Sequence, residues 1–88
     1  MNYRVSIVHE AEKILDRLDR PTERRIRHRV LQLAEDPFDP RLSAPLVGRV
    51  GVRKSRVSGW RILFTVDREA RVIHVLTVDT RGQVYRHS

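Results

Sequence analysis

Cysteine is absent from this 88-residue chain, which excludes both a disulfide framework and a thiolate metal site. Nothing in it approaches the ~20 apolar residues of a membrane span. The opening Met1-Asn2-Tyr3-Arg4 offers no apolar core of a signal peptide, so a cytoplasmic protein without membrane association is expected. Internal repeats and low-complexity segments are missing. So are Walker, Rossmann and zinc patterns, and Gly48, Gly51 and Gly59 make no phosphate loop. His9, His28 and His74 stand at no metal-ligand spacing. Neither a metal nor a cofactor is expected. Lysine, too, is scarce: of eighteen basic residues only Lys13 and Lys54 are lysines, and the other sixteen are arginines.

What remains is strongly basic. Eleven acidic residues leave a formal net charge of +7. A chain this short buries only about 60–65% of its unfolded surface, so a single two-layer domain over residues 1–88 is predicted. Arginine suits bidentate phosphate recognition and stacks on bases, which makes nucleic acid the first partner to consider. The charge is also clustered. Arg53-Lys54-Ser55-Arg56-Val57-Ser58-Gly59-Trp60-Arg61 places four cations in nine residues, just ahead of the apolar run Ile62-Leu63-Phe64-Thr65-Val66. On an extended segment Lys54 and Arg56 share one face, and Arg61 enters the sheet from the next strand. A phosphate backbone is the natural partner of such a face. A solvated basic edge that discourages strand-to-strand aggregation is the structural alternative.

Hydropathy patterning gives the order of elements. Tyr3, Val5 and Ile7 alternate with Arg4 and Ser6 as a half-buried first strand. Ala11, Ile14, Leu15 and Leu18 follow at helical spacing. Pro21 then fits the first turn of a second helix, whose stripe is Ile26, Val30, Leu33 and Ala34. Asp36-Pro37 stops it, because proline disfavours helical geometry in the residue before it. Burial of Ile14, Leu18, Ile26, Val30 and Leu33 against a sheet is predicted. Residues 37–51 hold three of the four prolines and two glycines and are read as an irregular connector. Three strands are predicted at about 50–57, 60–67 and 71–78, with turns at Ser58-Gly59 and Asp67–Ala70. The result is an α+β domain of order β-α-α-β-β-β, a helical hairpin packed on one face of a mainly antiparallel sheet.

Four stretches carry a resemblance to a known family. They are Tyr3-Arg4-Val5 with Ala11–Leu18, Leu33–Pro37 with Pro45-Leu46-Val47-Gly48, Arg56–Phe64, and Val75–Arg86. Together they resemble the RelE/ParE superfamily of bacterial toxins, across residues 3 to 86. The RelE-like branch implies a metal-independent endoribonuclease that cuts mRNA on the 70S ribosome and is held inactive by a cognate antitoxin, in an assembly up to a toxin–antitoxin heterotetramer. The ParE-like branch implies a poison of DNA gyrase that needs no ribonuclease residues. A nucleic-acid-binding member without catalysis is a third possibility. Val52 favours it, standing where many RelE-like members carry another cation.

In the RelE-like branch the resemblance assigns roles residue by residue. Cleavage by a ribose 2′-oxygen needs a base, a proton donor and a fixed cation. Arg61 matches the arginine that clamps the scissile phosphate, and Arg81 the second one, which stabilises the leaving group. Lys54 matches the candidate general base, set among Arg53, Arg56, Arg61 and Arg81. Tyr85 matches an exit-strand tyrosine that stacks on a base or orients the 2′-hydroxyl; plain packing is its alternative. His87 resembles a terminal active-site histidine able to act as acid or base, or is a frayed end. Arg53, Arg56 and Trp60 are expected RNA contacts, Arg53 facing away from its neighbour Val52. Trp60 replaces a common tyrosine. Arg24, Arg25, Arg27 and Arg29 crowd the second helix and suit ribosomal RNA or solvent equally. Three residues follow Tyr85, so the C-terminal helix of many members is expected to be absent.

Overall fold

The computed structural model describes residues 2–80. The alternating opening forms β1 (Arg4–Ile7), and α1 (His9–Arg17) follows at once. Asp19 separates α1 from α2 (Arg20–Glu35) and caps the second helix. Its carboxylate accepts from the Thr22 backbone N–H at 3.1 Å and from the Thr22 hydroxyl at 3.0 Å, which satisfies a donor that the first helical turn leaves unpaired. Pro21 sits in that first turn, where its missing N–H costs nothing. At the other end Asp36 closes α2 by donating its N–H to the Gln32 carbonyl at 3.3 Å. The two helices are tied by Arg27, which bonds to Glu12 on α1 and to Glu23 one turn back on α2. Hydrogen bonding to Glu12, ahead of the Glu23 contact, holds the Arg27 guanidinium above its ordinary pKa.

The remaining strands are β2 (Ala44–Pro45), β3 (Arg53–Val57), β4 (Trp60–Asp67) and β5 (Val72–Asp79). They form one five-stranded sheet in the order β1-β5-β4-β3-β2, antiparallel except for the parallel β1–β5 pair. The two-residue β2, inside the proline-rich connector, is too short to leave a periodic signal in the sequence. Ser58 and Gly59 both take positive φ, 51° and 81°, the conformation of a two-residue hairpin turn whose twist suits the flanking strands. At the second hairpin the turn runs one residue past Ala70. Arg71 takes φ 58°, and Asp67 accepts from the Ala70 N–H at 2.9 Å.

Both helices cover one face of the sheet. Ala11 and Leu15 of α1, and Ile26, Val30, Leu33 and Ala34 of α2, join Val57, Ile62, Phe64, Ile73, Val75 and Val78 in one core. Ile14 and Leu18 differ from expectation: they are partly buried at the margin, and Leu15 and Ala11 occupy the centre. The 3.6-residue stripe of α1 is therefore turned toward the Ala11–Leu15 edge.

One irregularity in β5 governs the opposite face. Leu63 pairs with Thr77 but Phe64 pairs with Val75, so Leu76 is an extra residue with no partner on β4. Such a bulge shifts the side-chain alternation by one. Ile73 and Val75 point to the helices before it, and Val78 does so after it. Thr77 and Asp79 consequently turn to the face that the helices leave uncovered. None of the helices among the described residues is long and apolar enough to cross a membrane.

Candidate nucleic-acid interface

On the face away from the helices, strand register sets the side chains in rows. Arg56 of β3 lies opposite Arg61 of β4, and Arg61 lies opposite Asp79 of β5. The adjacent row is Lys54, Leu63 and Thr77. Lys54, Arg56 and Arg61 are thus brought together by two strands and a tight turn, with Leu63, nearly fully buried, between Lys54 and Thr77. Two like charges directly opposite each other destabilise a sheet. Asp79 offsets this for Arg61: Nε donates to Oδ1 at 2.9 Å and Nη2 to Oδ2 at 3.0 Å. This bidentate pair fixes the plane of the guanidinium, as a forked contact does, and Nη1 has no partner among the described residues. Lys54 and Arg56 have no carboxylate partner among the described residues.

Two residues shape the site in ways that their sequence positions do not give. Asp79 is one, since only the bulge turns it toward Arg61. The other is Arg29 of α2. Because β2 pairs with Arg53 and Lys54 alone, the outer edge of β3 is uncovered beyond them. Arg29 Nη1 occupies that edge, donating to the Arg56 carbonyl and to the Ser55 hydroxyl, both at 2.9 Å. Arg29, Arg41, Lys54 and Arg56 then rim one shallow depression at the sheet edge.

The other expected contacts fall elsewhere. Trp60 is opposite Val57 and packs partly buried against the helix-side core. Arg53 likewise shares the parity of Ser55 and Val57 rather than that of Lys54. Its Nε and Nη2 donate to the Ser43 hydroxyl at 3.2 and 3.0 Å, and its guanidinium lies 4.9 Å from the centre of the Phe38 ring. Arg68 approaches the same ring at 4.3 Å. Burial and, second, the charge of Arg68 lower the Arg53 pKa from its ordinary value. Arg24 and Arg25 are exposed on α2, and Arg25 reaches the Ser58 hydroxyl of the β3–β4 turn at 3.4 Å. Arg81, Tyr85 and His87 lie outside the described residues. Among the described residues no group of three or more His, Asp or Glu side chains could hold a metal ion.

A helical hairpin on one side of a small sheet, with cations fixed by register on the other, is the α+β arrangement expected from the resemblance to the RelE/ParE superfamily. Comparison with known proteins agrees. Residues 5–85 match the sequence profile of the ParE toxin of type II toxin–antitoxin systems, and the chain belongs to that family, within the RelE/ParE superfamily. No curated protein matches the chain. Among solved structures it is similar to a chain of the archaeal RelE–RelB complex from Pyrococcus horikoshii, with 26% identity over 94% of this chain and 99% of that one, at a TM-score of 0.78. A chain of the RelBE2 toxin–antitoxin complex from Mycobacterium tuberculosis is 24% identical over 90% of this chain and 98% of that one, also at 0.78. An Escherichia coli RelE variant in complex with a RelB peptide is 22% identical over 99% and 94%, at 0.82. At these identities the likeness is one of fold.

Proposed function

We propose that this protein is the toxin of a toxin–antitoxin pair and acts as a metal-independent endoribonuclease on mRNA engaged with the ribosome. The observation that supports the reading is the row geometry: Lys54, Arg56 and Arg61 lie on the sheet face away from the helices, two of them without a carboxylate partner among the described residues. In this reading Lys54 takes the proton from a ribose 2′-hydroxyl. The 2′-oxygen attacks the adjacent phosphorus, the P–O5′ bond breaks, and a 2′,3′-cyclic phosphate and a 5′-hydroxyl result. Arg61, oriented by Asp79, and Arg56 hold the non-bridging oxygens as charge accumulates on them. Arg81 stabilises the departing 5′-oxygen, with Tyr85 and His87 as further participants in stacking and proton transfer. In this reading a cognate antitoxin keeps the protein inactive by covering this face; support for such a partner comes from the similar structures in which RelE is bound to RelB.

A second reading has its own support. The matching profile is that of ParE, and Arg61, the candidate phosphate clamp, is already engaged by a carboxylate. Both facts suit a gyrase poison that binds without cleaving RNA. Induction in cells followed by mapping of RNA 5′ ends separates the two. New 5′-hydroxyl ends in transcripts, abolished by Lys54→Arg, are expected, because arginine keeps the charge but does not give up a proton near neutrality. Full toxicity of Lys54→Arg rejects the general base. Intact mRNA together with cleaved DNA trapped on gyrase rejects the ribonuclease.

A further inference from the structure

Back to back with Lys54, on the helix side of the same strand, Arg53 belongs to a second cationic group. The connector after α2 brings Phe38 to the start of β3, and the β4–β5 turn brings Arg68 to the same place. Two guanidiniums then converge on one aromatic ring, at 4.9 and 4.3 Å from its centre. Pro45, Val52 and Val66 complete the walls of a cavity of about 310 Å³ there.

The electrostatics of this cavity are unbalanced. Arg27, Arg41 and Arg61 each hold a carboxylate, whereas neither Arg53 nor Arg68 has one among the described residues. Among the described residues Arg53 donates only to the neutral Ser43 hydroxyl, and that hydroxyl is itself oriented by donating to the Pro37 carbonyl at 2.6 Å. The ring quadrupole relieves part of the repulsion between two cations, and Asp36 lends a longer-range attraction. Two cations against one more distant carboxylate leave the place net positive and partly desolvated. Each guanidinium presents five N–H donors in a fixed fork, and most of those on Arg53 and Arg68 have no acceptor among the described residues.

We infer that this cavity is a binding site for a phosphate monoester dianion, the terminal phosphate of a nucleotide or of an RNA 5′ end. The charge match decides between anions. A monoester carries about −1.5 to −2 at neutral pH and three acceptor oxygens, against a single charge for a carboxylate or an internal phosphodiester. The apolar walls receive the group that the phosphate carries, and the Arg53–Arg68 pair receives the phosphate. The site stands apart from the Lys54–Arg61 face and does not depend on what that face does.

The test is an NMR titration of the purified full chain, following the Arg53 and Arg68 side-chain Nε–H signals. The probes are adenosine 5′-monophosphate, adenosine, and a 2′-O-methyl trinucleotide with and without a 5′-phosphate. The methylated sugars prevent cleavage. Saturable shifts are expected for the two 5′-phosphorylated probes and not for adenosine or the 5′-hydroxyl trinucleotide. Arg68→Gln, an exposed turn position, should weaken them about tenfold or more. Equal affinity for both phosphorylated probes identifies a nucleotide site, and tighter binding of the trinucleotide identifies an RNA 5′ end. No saturable shift at millimolar probe overturns the inference. So does affinity unchanged by Arg68→Gln, or tighter binding of a glutamate-rich peptide than of either phosphorylated probe.

Discussion

Replacing Asp79 by Asn keeps its shape but removes the charge that holds Arg61. The side chain of Arg61 is 12% exposed and that of Asp79 is 35% exposed, so the pair lies between two measured extremes. Exposed ion pairs contribute about 0–1 kcal/mol, while stripping one partner from a fully buried pair costs about 3–5 kcal/mol. Asp79 retains a third of its exposure, which draws the expected loss down to about 1–2 kcal/mol. Part of it arises because Arg61 then faces Arg56 alone. Trp60, the single tryptophan, packs against the core and reports unfolding by its fluorescence. For a chain of this size a urea slope of about 1 kcal/mol per molar translates that loss into a midpoint lower by about 1–2 M. Adding Arg61→Gln completes a double-mutant cycle. A coupling above about 1 kcal/mol is expected, and distant independent sites would couple by no more than about 0.5 kcal/mol. Asp79→Asn with the wild-type midpoint, or a cycle that closes additively, would refute the view that this carboxylate presets the arginine.

Three further outcomes follow from the packing and the caps. Leu15→Ala should cost about 2–5 kcal/mol as a buried large-to-small change, and Leu18→Ala clearly less, since Leu18 is only partly buried; equal losses in urea unfolding would contradict the position of α1. Arg29→Ala should destabilise by about 1–2 kcal/mol, because the Arg56 carbonyl and Ser55 hydroxyl lose a charged donor; hydrogen exchange along β3 should accelerate with it, and unchanged exchange would remove Arg29 from the role of edge cover. Hydrogen bonds from the Thr22 side chain and then its backbone lower the Asp19 pKa below its ordinary 3.8. A lowered folded-state value means stability present above 3.8 and lost as pH falls through the folded value. Thermal unfolding of Asp19→Ala against wild type should therefore show a gap that narrows in acid, and a gap constant with pH would speak against the cap.

Much of the architecture was legible because the physics is local. The helical stripes, the Asp36-Pro37 stop and the Ser58-Gly59 turn each announce themselves within a few residues, and the alternation of Lys54 and Arg56 placed both on one face. What escaped is non-local. Asp79 has the same parity as Ile73 and Val75, and a strict two-residue period would send it into the core; the unpaired Leu76 reverses that, and a bulge depends on the partner strand. Arg29 looks like one more solvated arginine until the shortness of β2 leaves it an edge to cover. Arg53 and Trp60 were legible as a cation and a ring in a basic hairpin, but their parity places them on the helix side. The Phe38–Arg68 neighbourhood of Arg53 joins segments whose sequence spacing gives no hint of contact.

The parallel pairing of β1 with β5 also bears on when the domain can form. Arg4 is matched to Val72 and Ile7 to Val75, so the earliest strand made is completed only by the last one described. Such a pairing closes a loop of nearly the whole chain, and the entropy of closure must be met before its contacts give anything back. The hairpins β3–β4 and β4–β5 are local and can form early, with β1 docking late. During synthesis the Arg61–Asp79 pair and the seating of β1 therefore wait on the same strand. A nascent chain interrupted before β5 has neither, and the basic face becomes a defined surface only when translation of this domain is nearly done.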